Sequence, residues 1–291
     1  MAQKFIQSTK FDFSVEAAPS FMQLPDGSFV KDGFTVNRRT DNLAVLGKVT
    51  DRYGIVQNTD LVQAAEDAFK AAGLSNYTRK MVVTGEGERM YAVYDFKSHT
   101  KALKVGDEVG LRLTLQNSFD GSLRGSLIGG IKRLVCLNGA VTLAKEFGLT
   151  QKHGSKVSVS FVETAVANVI ASWEKSLFVF DRLAEARITQ AQGHNILAQL
   201  AKGNTLSGKL LEGIEAIWTN PTHAEDSDRN LWNLYNAVTQ HLTHGVAEER
   251  FELANRVSGN VLAALERASR DAGRFAKLVA PVPVEVISVS L

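Results

Sequence analysis

The chain has 291 residues, of which 44% are hydrophobic and 22% charged, as is typical of a globular protein with a buried core. Its single cysteine excludes a disulfide framework and a cysteine-based zinc cluster. With no signal-peptide pattern and no apolar run of ~20 residues, we expect a cytoplasmic protein without a membrane partner. The net charge of +2 hides an asymmetry, because residues 1–160 hold 21 Lys and Arg against 16 Asp and Glu. This excess favours a polyanion partner for the first half, with a solvated charged surface as the alternative.

Turn signals divide the N-terminal part of the chain into short predicted strands. Pro25-Asp26-Gly27 and Asp32-Gly33 are turn sequences between short segments. Strands are then predicted at residues 43–50 and 53–58, on either side of a tight turn at Asp51-Arg52. This part of the chain is therefore expected to consist of short strands joined by turns.

A helix and a hairpin are predicted next. Apolar residues at helical spacing predict a helix from Asp60 to about Ala72, with Thr59 as its N-terminal cap. Residues 77–96 are predicted to form a hairpin that turns at Gly85-Glu86-Gly87, because two apolar segments flank these turn residues.

A second hairpin is predicted from the alternation of apolar and polar residues. In residues 108–117 leucines alternate with polar side chains, and residues 122–130 are expected to return antiparallel to them. The same alternation places Arg112, Arg124 and Ser126 on the outer face. Basic side chains from two neighbouring strands would then point the same way.

The remaining sequence predicts helices and an extended tail. Apolar residues recur at helical spacing, and Pro221 and Gly245 separate the later segments. The tail has alternating valines and two prolines, which favour an edge strand. We predict helices at about residues 138–147 and within residues 158–189, 206–221, 228–245 and 248–279, and a strand at residues 281–291.

These elements predict an α+β protein. An antiparallel β-sheet N-terminal region with one or two helices precedes a mainly α-helical C-terminal region. We expect residues 1–157 to form a β-rich basic core and residues 158–291 to form a helical region with a C-terminal extended tail. The sequence has no internal repeat and no low-complexity linker.

The sequence contains no convincing catalytic constellation. Its glycine-rich segments lack the Gly-Lys-Ser/Thr ending of a phosphate loop, so no nucleotide cofactor is predicted. His241 and His244 are one helical turn apart and could bind a metal, but polar side chains at a helix C-terminus are the simpler explanation. Asn117 and Asp120 fit a turn, with a Mg²⁺ site as the alternative. We therefore predict no catalytic residue, no metal and no cofactor.

Binding to a phosphate backbone demands less of the sequence than catalysis does. Lys and Arg on one sheet face neutralise successive phosphates, and glycines let the backbone approach the polymer. Aromatic side chains can stack on bases. The alternative is that the basic side chains only solvate an exposed sheet. The predicted nucleic-acid-binding residues are Arg112, Arg124, Lys132, Arg133, Arg79, Lys80, Arg89, Tyr53 and Phe119.

Four motifs occur in a familiar order: residues 45–58, 117–125, 132–139 and 231–245. Together they resemble a family of phage- and plasmid-borne proteins catalogued as a domain of unknown function. The family's strand–strand–helix–strand core is similar to that proposed for single-strand annealing proteins, the recombinases that pair complementary strands. Residues 1–40 lack the family's usual tryptophan-containing entry segment, so the resemblance implies nothing for them.

The resemblance and the basic sheet together predict a phage-type single-stranded DNA-binding protein of the annealing or recombination class that needs no ATP. The valine-rich tail could add a strand to a neighbouring subunit, so we predict a homo-oligomer; alternatively, the tail folds back on its own sheet. A second hypothesis is a phage protein that binds and modulates a host factor through its helical half. A third is a Mg²⁺-dependent nuclease that uses Asp120.

Overall fold

The computed structural model describes residues 5–6, 11–104, 107–133, 141–142, 148–244 and 251–282. Its strands are β1 (Phe5–Ile6), β2 (Val15–Gln23), β3 (Phe29–Arg39), β4 (Val45–Thr50), β5 (Tyr77–Thr84), β6 (Arg89–Lys104), β7 (Asp107–Ser118), β8 (Gly125–Arg133), β9 (Val141–Thr142) and β10 (Gly148–Gln151). Its α-helices are α1 (Asn58–Ala71), α2 (Phe161–Glu185), α3 (Gln190–Lys202), α4 (Gly208–Thr219), α5 (Leu231–His244), α6 (Phe251–Ser269) and α7 (Ala272–Val279).

The strands form a seven-stranded sheet and a three-stranded sheet. In the larger sheet the order is β1-β5-β6-β7-β8-β10, with β9 also paired to β8; in the smaller sheet it is β2-β3-β4. Antiparallel pairing joins β5 to β6, β8 to β10, and both pairs of neighbours in the smaller sheet. Antiparallel sheets are thus followed by a mainly helical C-terminal region, which confirms the predicted α+β class.

The residues fall into two compact units, each made of several segments. One unit comprises residues 1–101, 110–132 and 145–174, and the other comprises residues 102–109, 133–144 and 175–291. The first part of α2 therefore belongs to the unit that holds most of the sheet residues. The sequence places a single boundary between residues 157 and 158, whereas these units interleave along the chain.

The core of the first unit lies between α1, the large sheet and the first part of α2. Leu61 and Phe69 on α1 are fully buried, as their helical spacing predicts. On β7 the leucines at positions 111, 113 and 115 are buried, as predicted, but Thr114 between them is buried as well. Ser126 is also buried, so its predicted outward position is wrong.

The second unit has an aromatic and polar core around α5. The rings of Phe180 and Trp232 meet edge to face with centroids 5.3 Å apart. The Trp232 indole N–H donates to Asp107 Oδ2 at 2.8 Å, so this buried carboxylate has a polar partner. The ring of His241 packs over Gly213, where a Cβ would lie 2.1 Å from it. His241 therefore has a packing role; the side chain of His244 lies outside the part that the structure describes.

Several predicted elements differ from the observed ones. Helix α1 begins at Asn58 after Gln57, and Thr59 lies inside the helix rather than at its cap. The Gln57 side chain instead exchanges two hydrogen bonds with the backbone of Val15, at 2.8 and 3.0 Å, which ties the start of α1 to β2. Residues 53–57, predicted as part of a strand, are irregular.

Two further differences concern short elements. The predicted helix at residues 138–147 is wrong at Val141–Thr142, which form β9. Helix α3 was not predicted, although Thr189 and Gln192 form a capping box at its start. The predicted tail strand lies almost entirely outside the described residues, which end at Val282.

Candidate nucleic-acid interface

A cleft of about 490 Å³ lies in the first unit beside the loop of residues 119–124, which joins β7 to β8. Cationic side chains outnumber acidic ones in its lining, and two aromatic rings from β3 and from the segment after β4 contribute to it. The lining residues are Phe34, Lys48, Val49, Thr50, Tyr53, Asp120, Gly121, Ser122, Leu123, Arg124, Lys152 and His153.

Arg124 and Lys152 lie at the same end of neighbouring strands. Strands β8 and β10 are antiparallel, and Gly125 of β8 is paired with Gln151 of β10. Arg124 immediately precedes the first of these residues and Lys152 immediately follows the second, so the register places them next to each other. Both residues are exposed. Two cationic side chains thus project from one edge of the cleft.

The backbone of the loop is held by hydrogen bonds from three separate elements. Asn37 of β3 donates through Nδ2 to the carbonyl of Phe119 at 2.7 Å, and the Tyr53 hydroxyl donates to the carbonyl of Ser118 at 2.6 Å. The amide of Phe119 donates to the carbonyl of Glu88 at 2.7 Å. The loop therefore has a fixed backbone on which Arg124 is carried.

Asp120 is used within the loop. Its Oδ1 accepts a hydrogen bond from the amide of Ser122 at 2.8 Å, which is the expected turn chemistry. Its Oδ2 accepts from Arg89 Nε at 3.0 Å. Strand β4 passes so close that a Cβ on Gly47 would lie 2.4 Å from the Cα of Asp120. Both carboxylate oxygens are thus engaged by the protein itself.

The side chains of Phe34 and Lys48 contact each other, and Lys48 also pairs with Asp32 of β3. The ammonium of Lys48 lies 4.9 Å from the centre of the Phe34 ring and 2.5 Å from Asp32 Oδ2. This ammonium holds the pKa of Asp32 below its usual value. Asp32 also accepts from Ser20 Oγ at 2.9 Å and from the amide of Phe34 at 3.1 Å. The Phe34 ring itself is exposed at the cleft.

Tyr53 and His153 form a stacked pair in the cleft wall. Their ring centres are 4.8 Å apart and their planes differ by 15°. Burial raises the pKa of Tyr53 to about 12 and lowers the pKa of His153, so both side chains are neutral at pH 7. His153 Nδ1 lies 3.2 Å from the carbonyl of Gly54. One face of the Tyr53 ring is therefore covered by His153, which leaves only the other for the predicted base stacking.

Two of the predicted binding residues, Arg112 and Lys132, share one carboxylate instead of facing open solvent. Asp95 of β6 accepts from Arg112 through both of its oxygens, and Lys132 Nζ lies 3.0 Å from Asp95 Oδ2. Burial alone would raise the pKa of Asp95, but the two cations outweigh it and lower that pKa. The side chains of Arg112 and Lys132 are only 12% and 20% exposed. The expectation that both lie in one open basic line with Arg124 is therefore corrected.

The cations of the other hairpin also have carboxylate neighbours. Arg79 lies 2.5 Å from Glu66 of α1, and Arg89 is the partner of Asp120 described above. Lys80 is exposed on β5. Strand β8 ends at Arg133, whose side chain is outside the described part of the structure.

Phe119 was expected to stack on bases, but its ring is 1% exposed. It packs against Phe13, with ring centres 6.1 Å apart, in a small core beneath the loop. Stacking on a base needs an open ring face, so this placement corrects the expected orientation of Phe119. Of the predicted binding residues, Arg124 and Tyr53 line the cleft directly.

Among the cleft residues that the sequence did not assign to binding are Phe34, Lys48 and Lys152. The sequence predicts a turn between segments at Asp32-Gly33, whereas these residues lie within β3, opposite the register shift in β2 and next to the exposed Phe34. The sequence does not single out Lys152, because no element is predicted at residues 148–151, which form β10.

The described ranges contain neither a candidate metal-binding cluster nor a candidate membrane-spanning helix. Among these residues, no three His, Cys, Asp or Glu side chains come together in a way that could hold a metal ion. None of the helices built from them is both long and apolar enough to cross a membrane.

Comparison with known proteins identifies a family. Residues 45–275 match the family model described as Domain of unknown function (DUF932). The comparisons with curated proteins and with solved structures each gave no match. The matched segment begins at β4 and includes the loop of residues 119–124 and Lys152, whereas Phe34 precedes it. Because the match covers well over half of the 291 residues, the chain belongs to the DUF932 family.

Proposed function

We propose that the protein binds single-stranded DNA in the cleft beside residues 119–124. The observation that carries this proposal is the adjacent, exposed pair Arg124 and Lys152 in one cleft with the exposed ring of Phe34. Two cations can each neutralise a phosphate and release counterions, while the ring offers a stacking surface for a base. A single strand presents phosphates and open base faces together, whereas a duplex hides the base faces.

The fixed backbone of the loop supports binding because it lowers the cost of ordering. Asn37 and Tyr53 donate hydrogen bonds to the carbonyls of residues 118–119, and the Phe119 amide donates to the Glu88 carbonyl, before any ligand arrives. The backbone that carries Arg124 thus loses little freedom on binding, and more of the interaction energy contributes to affinity.

The chemistry of the cleft favours binding over hydrolysis. Tyr53 is un-ionised at neutral pH, and His153 is neutral and stacked against it. Asp120 is engaged by Arg89 and Ser122. The Tyr53 hydroxyl donates to a backbone carbonyl rather than to a base, which fits a protein that binds DNA without cleaving it.

We further propose that the protein acts in strand annealing and recombination. This role rests on the resemblance to annealing proteins and on the basic cleft, and it requires several copies of the chain to align a strand. We propose that the protein is a homo-oligomer that works in the cytoplasm, which would be the host cytoplasm if the chain is phage-encoded.

The test is a titration of labelled single-stranded and duplex oligonucleotides, followed by fluorescence anisotropy from low to moderate salt. We expect tighter binding of the single strand and an affinity that falls steeply as salt rises. Undetectable binding at low salt would contradict the proposal, as would equal affinity for the duplex.

A further inference from the structure

Strands β2 and β3 extend past the end of β4 as a two-stranded ribbon. Strand β4 pairs with β3 only from Phe34 to Arg38, while β2 stays paired with β3 as far as Phe29. We call residues 19–33 the β2–β3 ribbon. Every residue from Phe21 to Val30 is exposed, so neither face of this segment is covered within the described chain.

The β2–β3 ribbon carries an unusual share of the exposed apolar side chains. Of the nine large apolar residues exposed in the described part of the chain, five belong to it. They are Phe21 (51% exposed), Met22 (53%), Leu24 (36%), Phe29 (67%) and Val30 (43%).

Both faces of the ribbon are apolar. Met22 is paired with Val30 across the strands, and these two side chains share one face. Phe21 and Phe29 share the opposite face, where they are paired with Lys31 and Gln23. Because an isolated two-stranded hairpin is only marginally stable in water, a ribbon with two uncovered apolar faces gains from a partner.

The base of the ribbon is anchored, so it projects as a fixed element. Asp32 accepts hydrogen bonds from Ser20 and from the amide of Phe34, and it is paired with Lys48 of β4. These contacts join both ribbon strands to the body of the small sheet. A surface held in this way loses little freedom when it is covered.

We propose that the β2–β3 ribbon is a self-association surface that packs against a second copy of this chain. With roughly 200 Å² for each large side chain, the exposed fractions of its five apolar residues leave roughly 500 Å² of apolar surface per copy. A standard interface buries about 800 Å² per partner, of which a little over half is apolar. These side chains lie on both faces, so a partner copy that covers both faces of the ribbon would bury the apolar part of a standard interface.

The charges of the ribbon favour a second copy over a nucleic acid. It has one lysine, Lys31, and two acids, Asp26 and Asp32, so it offers no cluster of cations to a polyanion. In a two-fold symmetric contact, each pair of residues across the interface occurs twice, with the two copies exchanging roles. Such a contact can set Lys31 of each copy against Asp26 of the other.

The free edge of β2 favours packing through the faces of the ribbon. Strand β2 is the last strand of the small sheet, but it contains Pro19 and a register shift between Pro19 and Phe21. Proline and irregular pairing both oppose the addition of further strands at an edge. Association through the apolar faces is therefore favoured over the addition of strands at this edge.

The experiment measures the mass of the full chain by sedimentation equilibrium over a micromolar concentration series, without oligonucleotide. We expect the wild-type chain to self-associate and the double variant Phe21→Asp/Phe29→Asp to associate ~100-fold more weakly. Phe29→Gln is the milder second variant, and we expect it to fall between them. Circular dichroism establishes that each variant is folded.

Val45→Asp is the matched control, because Val45 is 60% exposed at the other end of the same small sheet. It should associate like the wild type. A monomeric wild-type chain overturns the proposal, and so does association that the ribbon variants leave unchanged or that Val45→Asp weakens equally. Self-association that occurs only after DNA or another protein is added also overturns it. Since oligonucleotide is absent, failure here is separate from failure of DNA binding.

Discussion

Two groups of basic side chains in the sheets of this protein have opposite surroundings. Arg112 and Lys132, on neighbouring strands, converge on Asp95 of β6 and are largely covered. Arg124 and Lys152, also on neighbouring strand ends, are exposed in a cleft. Basic residues at similar positions therefore stabilise the sheet in one group and are exposed to a ligand in the other. The two groups differ because Asp95, on the strand next to Arg112, neutralises the first group.

The largest expected effect tests the covered group. Asp95→Ala leaves Arg112 and Lys132 largely buried without their shared carboxylate, and losing one partner of such a network is strongly destabilising. We expect the free energy of unfolding to fall by about 3 kcal/mol, measured by urea denaturation. Affinity for single-stranded DNA should stay unchanged under conditions where the variant is folded. A loss below about 0.5 kcal/mol, the range of ordinary surface substitutions, would contradict this account of the covered group.

The second-largest effect is expected at Gly47, which packs against the loop of residues 119–124. Gly47→Ala would place a Cβ 2.4 Å from the backbone of Asp120, which cannot move without disturbing its contacts with Arg89 and Ser122. We expect a loss of about 2 kcal/mol in the free energy of unfolding, together with weaker DNA binding. Gly208→Ala is the control, because a Cβ on Gly208 meets open space. Equal behaviour of the two variants would show that the loop does not depend on close packing against β4.

A smaller effect is expected at the aromatic residue of the cleft. Phe34→Ala removes the exposed ring, and stacking of one base on an aromatic side chain contributes about 1–3 kcal/mol to affinity. We expect roughly tenfold weaker binding of single-stranded DNA by anisotropy, with the unfolding free energy nearly unchanged. Phe178→Ala, at a similarly exposed ring on α2, serves as the control and should bind like the wild type. Unchanged affinity in Phe34→Ala would remove the stacking role from the proposal.

The smallest effect is a pH dependence of stability. Burial lowers the pKa of His153 in the folded state below its unfolded value of 6.5, so the unfolded chain binds more protons as the pH falls through that region. The contribution of His153 is thus present above pH 6.5 and is lost at lower pH. We expect stability to decline between pH 7.5 and 5.5, and His153→Gln to make the decline shallower. Part of the decline should remain in this variant, because burial also lowers the pKa of His241. An identical decline in His153→Gln would contradict the assignment.

Periodicity predicted much of the fold because burial follows local spacing. Alternate leucines on β7 and the apolar stripe of α1 are buried as their sequence patterns indicate. The turn at residues 85–87 also connects two paired strands as predicted. These features depend on neighbours within a few residues, which a single sequence displays directly.

The pairing of charges could not be predicted in the same way. Arg112 and Lys132 meet Asp95 across three strands, and sequence alternation gives the face of a side chain but not its partner on the next strand. The burial of Phe119 could not be predicted for the same reason. Its loop position suggests exposure, whereas Phe13, which is distant in sequence, covers its ring. The cleft likewise depends on β10 and the irregularity at Asp32-Gly33, two features that are set by tertiary contacts.

The most direct test of the exposed group compares the salt dependence of single-stranded DNA affinity in the wild type, Arg124→Ala/Lys152→Ala and Lys209→Ala. Lys209 is an exposed lysine of α4 and controls for the loss of charge. If both cleft cations neutralise phosphates, the slope of log affinity against log salt becomes shallower by about 1.4 in the double variant. The same slope should stay as in the wild type for Lys209→Ala. A double variant that keeps the wild-type affinity and slope would contradict binding in this cleft.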